Sequence, residues 1–106
     1  MKLMTKELEK RFKKVGNQFS SKDPIVICKF FNPCGIGYWF PTSYDPKTKE
    51  FFGYVSLFGD QCDEWGYFSL EELESIKDKR FGLGIERDLH FDECLSSEII
   101  KQYTKC

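Results

Sequence analysis

A chain of 106 residues is long enough for one hydrophobic core and too short for two ordinary ones, so a single domain over 1–106 is predicted. Eleven Phe, five Tyr and two Trp supply large rings for burial and exclude disorder for the body of the chain. A formal net charge of −1 excludes nucleic-acid binding by bulk electrostatics, which calls for a strongly basic domain.

In chain order, the first element is an amphipathic helix. "TKELEKRFKKVG" offers Thr5 as a start signal, an apolar stripe at Leu8, Phe12 and Val15, and Gly16 as a stop. Its other side carries Lys6, Lys10, Lys13 and Lys14 at helical spacing. Residues 1–14 hold six Lys/Arg against two Glu, whereas residues 60–74 hold six acids and no base, so one end of the fold is expected to be basic and another acidic. The basic stripe reads as a solvated face. If it binds anything, phosphate backbone and an acidic protein surface both fit.

After the turn-like "SSKDP", the run "IVICKFF" is apolar at nearly every position and β-branched or aromatic, which predicts a central strand covered on both faces. "NPCGIG" supplies turn residues. "YWFPTSY" resumes a strand in which Pro41 cannot donate to a ladder, so this strand is placed at an edge or given a bulge. "DPKTKE" turns the chain into "FFGYVSLF", completing a hairpin, with Gly53 marking a bulge or a close backbone contact.

The acidic loop "GDQCDE" leads to the short strand "WGYF" and then to "SLEELESIKDKRFG". Ser69 with Glu72 forms a capping box, acids fill the first turn, bases the last, and Gly82 closes the segment, so a helix with Leu70, Leu73 and Ile76 buried is predicted. "GLGIERDLHFDEC" reads as a further strand, and "LSSEIIKQYTKC" over 95–106 as a short helix capped by Ser96 or Ser97 with a frayed end. The order of elements predicts an α+β domain: an antiparallel sheet of about four to five strands with two main helices packed on it.

Alternation along 82–94 lines up Glu86, Asp88, His90 and Asp92, the His being the sole one of the chain, opposite Ile85, Arg87, Leu89 and Phe91. Carboxylates hold hard cations and a nearby His handles a nucleophilic water, so Glu86, Asp88 and His90 are candidates for a metal-dependent nuclease or hydrolase. A half-exposed strand shows the same alternation, and that solvated reading is preferred, with no metal or cofactor expected. Arg87, on the apolar side, requires a partner, for which Glu64 or an acid of the second helix is the candidate; an anion-binding pocket is the alternative. Among the aromatics most are assigned to the core, while Trp39, Tyr44 and Trp65, beside turns or polar residues, are expected to be partly exposed and to form a protein-contact patch.

The five cysteines, Cys28, Cys34, Cys62, Cys94 and Cys106, contain no CxxC pair and match no common zinc spacing. Together with an N-terminus lacking an apolar h-region, they predict a reduced, cytoplasmic protein. No run approaches the roughly 20 apolar residues of a membrane span.

"DPIVICKFFNPCG", "YWFPTSYDP", "FFGYV", "EWGYFSLEELE" and "GLGIERDLHF" together resemble a family of short bacterial proteins and domains of unknown function, over about residues 3–92. The "GYFSLEEL" and "IERD" blocks are its more specific parts. Where the family pattern places Trp-Tyr-Ala-Thr-Glu, this chain has Trp39, Phe40, Pro41, Thr42 and Ser43, so the acid preceding Tyr44 is absent. The resemblance implies a setting on plasmids, conjugative elements and phages, and hence a non-enzymatic accessory protein acting by protein contact, such as an anti-defence inhibitor of anti-CRISPR or anti-restriction type. The alternatives are the hydrolase built on the acidic row and a nucleic-acid-binding accessory domain using the lysine stripe.

Overall fold

The computed structural model describes residues 2–35, 37–56, 64–76 and 83–103. The architecture is α+β: a five-stranded antiparallel sheet, a second sheet of two strands, and three helices. Helix α1 (Lys6–Val15) begins where Thr5 Oγ1 accepts a hydrogen bond from the Leu8 N–H at 3.1 Å and stops at Gly16, whose φ of 72° lies in the region that favours glycine. Its Phe12 is buried against the sheet, with Leu8 and Val15 packed around it.

The apolar run "IVICKFF" does not form one strand. It divides into β1 (Ile25–Val26) and β2 (Phe30–Phe31), which belong to different sheets. β1 pairs with β7 (Cys94–Leu95), and β2 sits in the large sheet between β3 (Tyr38–Asp45) and β6 (Glu86–Arg87). The whole order of the large sheet is β5-β4-β3-β2-β6, where β4 is Glu50–Ser56 and β5 is Glu64–Ser69.

β3 is interior, and Pro41 is accommodated there by a bulge. The register with β4 slips between Pro41 and Ser43, and the Pro41 carbonyl accepts from the Ile27 N–H at 3.0 Å. Gly53 lies opposite Pro41 in β4. A Cβ at that position would collide with the Phe40 carbonyl oxygen and lie 2.7 Å from Pro41 Cα, so the two backbones approach as only glycine allows.

Ser69 caps α2 (Leu70–Ser75), accepting from the N–H groups of Glu71 and Glu72. The described helix is shorter than the sequence predicts: Ile76 is already extended and 41% exposed, so it belongs to no buried stripe, and residues 77–82 lie outside the described residues. Helix α3 (Ser96–Tyr103) is capped from elsewhere in the chain rather than by its own serines. The Asp23 carboxylate accepts from Ser96 Oγ, Ser97 N and Ser97 Oγ at 3.0, 2.9 and 2.7 Å, and these bonds hold the Asp23 carboxyl below its ordinary range.

Alternation in β4 and β5 sorts side chains onto two faces. On one, Phe51 and Phe68 join Phe12, Phe30, Trp39 and Leu73 beneath α1 and α2. On the other, Phe40 and Tyr54 pack with Val26 and Ile99, so the small sheet and α3 cover that part.

Candidate functional site

The acidic row predicted over 86–92 does not form. β6 ends at Arg87; the Asp88 N–H still reaches the Lys29 carbonyl at 2.9 Å, and the chain then turns, with the His90 N–H donating to Asp88 Oδ1 at 2.9 Å and the Phe91 N–H to the Asp88 carbonyl at 3.3 Å. A carboxylate that captures the backbone two residues on competes with strand continuation, which is why the alternation breaks here. Asp88 Oδ2 also lies 3.8 Å from Lys29 Nζ. Among the described residues no three His, Cys, Asp or Glu side chains gather as a metal-holding group, and Glu86, Asp88 and His90 are not brought into one.

Arg87 is not paired with Glu64 in the way its sequence suggested. Glu64 belongs to β5, at the opposite edge of the sheet from β6 with three strands between. Arg87 Nη1 instead donates to the Leu3 carbonyl at 2.7 Å, tying down the segment before α1, where Leu3 is fully buried. Of its supposed apolar companions, Ile85 is buried and Phe91 half-buried, but Leu89 faces solvent.

Trp39 is 8% exposed and belongs to the core beneath α1, against the expectation of a contact residue. Tyr44 is half-buried on the same face, its ring centroid 4.7 Å from Phe51 and 5.9 Å from Phe12. Burial first, and then the charges of Glu9, Glu74 and Asp45, push its hydroxyl pKa up. Lys6, Lys10, Lys13 and Lys14 are all exposed, as the stripe implied. Arg11, on the same helix, is bidentate on Glu93 at 2.8 and 2.7 Å. Burial pushes the Cys28 thiol far up, which suits a packing residue and not a nucleophile.

The surface that gathers chemistry begins on the other face of the sheet and extends past the hairpin end to Tyr44 and α1. Registers Phe52↔Tyr67 and Tyr54↔Trp65 place four rings side by side across β4 and β5. Phe52 stacks on Trp65 at 5.9 Å and meets Tyr67 edge-on at 4.9 Å, while Tyr54 meets Trp65 edge-on at 5.8 Å. Phe19 comes in from the loop after α1, its ring 5.1 Å from Phe52. Helix α3 reaches Tyr54 but leaves the outer rings uncovered: Tyr67 is 66% exposed and Phe19 57%.

The loop bearing Phe19 is fixed by Gln18. Its Nε2 donates to the carbonyls of Ile25 and Thr42 at 2.9 and 2.7 Å, and its Oε1 accepts from the Ile25 N–H at 2.7 Å. The result is a hollow of about 620 Å³ between the end of α1, the β3–β4 turn and Tyr67, adjoined by one of about 260 Å³ reaching to Trp65. Phe19 and Phe52 line both. Of the sequence-predicted contact residues, Tyr44 and Trp65 line this groove, Glu64 is exposed at the start of β5 beside Trp65, and Lys13 reaches it from the basic stripe. Phe19 went unpredicted because it sits in a loop with no periodicity, and Tyr67 because it falls among the rings assigned to the core, although it shares a strand face with Trp65.

The family model described as protein of unknown function (DUF2958) matches residues 3–105, nearly the whole chain. The chain belongs to the DUF2958 family. No curated protein matches it, and no solved structure does. The DUF2958 description carries no reaction. No described helix is long and apolar enough to cross a membrane.

Proposed function

We propose that this protein is a binding module without a reaction of its own, and that it works by protein contact through the aromatic groove. One observation carries the reading: Phe19, Phe52, Trp65 and Tyr67 form a contiguous, partly exposed ring cluster over a double hollow, the last three held on the sheet and Phe19 on the loop that Gln18 fixes. Exposed aromatic clusters of this kind are the usual anchors of protein interfaces, since rigid rings bury much area at small entropic cost. Such rings also stack on bases in single-strand binders, where basic residues track the backbone. Here Glu9, Asp45 and Glu50 line the groove, which disfavours a phosphate chain and favours a protein.

In its finer form the proposal is an accessory protein of mobile elements that blocks a host defence complex by covering part of its surface. That form draws on the setting the resemblance implies, and a rigid contact face is all such occlusion requires. Titration against restriction and CRISPR effector complexes of the native host tests it. Binding at micromolar concentration that Trp65→Ala with Tyr67→Ala removes supports the proposal. No binding by the wild type removes the anti-defence form, and binding unaffected by the two substitutions removes the groove.

A further inference from the structure

The charges around the groove say what kind of side chain it takes. Three carboxylates, Glu9, Asp45 and Glu50, line the larger hollow against one ammonium, Lys13. Among the described residues neither Glu9 nor Glu50 forms an ion pair, so their charge is directed at solvent and at whatever enters. Asp45 and Glu50 are register partners at the close of the β3–β4 hairpin, and like charges directly opposite each other destabilise a strand pair. Alternation puts both on the face that carries Phe52 and Tyr67. A pair that weakens its own hairpin, set at the mouth of an aromatic hollow, is compensated when a cation sits between acids and rings.

We propose that the larger hollow receives an arginine or lysine side chain of a protein partner, the charged head between Glu9 and the Asp45–Glu50 pair and the stem against Phe52 and Tyr67. This rests on the groove being a contact surface and names the chemistry of what it contacts. Ring faces attract a cation within about 6 Å, and the carboxylates add the charge-assisted hydrogen bonds that a guanidinium fork satisfies. Tyr44, on the wall of the same hollow, has its hydroxyl pKa pushed up by burial first and then by Glu9, Glu74 and Asp45, two of which are carboxylates of the hollow. Lys13 and, in the smaller hollow, Lys22 are the basic side chains that face the groove, and both are exposed, so neither is committed to filling it.

The test is amide chemical-shift titration of the full chain with a blocked hexapeptide alternating arginine and leucine, and with the same peptide carrying citrulline, the neutral isostere of arginine. The arginine peptide is expected to shift Phe19, Phe52 and Tyr67 and to bind about tenfold more tightly than the citrulline peptide. Glu9→Gln with Glu50→Gln should bring the two peptides to equal affinity, and Glu50→Gln alone should raise the thermal midpoint, because the repulsion opposite Asp45 is gone. Equal binding of both peptides to the wild type, no binding of either, or shifts confined to the acidic first turn of α2 would overturn the cation proposal. If equal binding is abolished by Trp65→Ala, the contact surface stands and only the cation falls; if Trp65→Ala has no effect, both fall.

Discussion

Phe51 and Phe52 are neighbours in β4 that serve opposite faces, so truncating each in turn separates the fold from the surface. Phe51 is 0% exposed, with ring centroids 4.7 Å from Tyr44, 5.3 Å from Phe30, 5.4 Å from Phe68 and 5.8 Å from Phe12. Phe51→Ala removes those contacts and leaves a closed cavity, a loss of about 4 kcal/mol. That is a large part of the roughly 5–15 kcal/mol that holds a domain of this size together. Phe52 borders a hollow open to water, so Phe52→Ala leaves no sealed void and sacrifices only its ring pairs with Phe19, Trp65 and Tyr67. About 2 kcal/mol is expected, the sum of three solvent-facing pairs. Urea unfolding followed by far-ultraviolet circular dichroism measures both. With a slope of about 1.5 kcal/mol/M, the midpoint should fall by about 2.7 M for the first variant and about 1.3 M for the second. Similar losses for the two would refute the assignment of faces, and with it the claim that the Phe52 side is built for contact and not for packing.

Gly53→Ala forces a Cβ onto the Phe40 carbonyl and Pro41 Cα, so a thermal melt should show a loss of about 2–3 kcal/mol; a neutral result would mean the bulge at Pro41 yields freely. The Asp23 pKa is lowered from 3.8 by its bonds from Ser97 and Ser96, so the stabilisation it gives is complete above that value and is lost as pH falls through the depressed one. The difference in urea midpoint between wild type and Asp23→Asn should therefore shrink steadily below about pH 4; a constant difference down to about pH 2 would contradict the capping role. Cys28 is buried and its thiol is held protonated, whereas Cys34 is only half-buried. Alkylation of the native protein read by peptide mass spectrometry should label Cys34 well before Cys28, and equal rates would place Cys28 at the surface.

Local signals were the legible ones. Thr5 and Gly16 delimit α1, Ser69 opens α2, and Pro41 with Gly53 announced an irregular crossing inside the hairpin; each acts through its own backbone geometry, which sequence states directly. Signals that depend on what lies opposite were not. "IVICKFF" correctly indicated burial on both sides, yet an unbroken apolar run cannot say that Val26 packs near Ile99 while Phe30 joins Phe51, and so the change of sheet between them was hidden. Strand-like alternation over 86–92 was overruled by one side-chain-to-backbone bond, from the His90 N–H to Asp88. Likewise the cap of α3 arrives from Asp23, more than seventy residues earlier, where no local motif could point to it. Of the contact face, Trp65 and Tyr44 were visible as rings beside polar neighbours; Phe19 and Tyr67 became visible only once an eight-residue α3 proved to cover part of the sheet and no more.

A photo-crosslinking amino acid in place of Tyr67, compared with the same group in place of Lys101 on α3, tests the central claim in the native host. Position 67 should yield one discrete crosslinked protein, lost when Phe52→Ala is introduced alongside, while Lys101 yields none. Crosslinks that arise equally from both positions, or that survive Phe52→Ala, would contradict a partner seated on the aromatic groove.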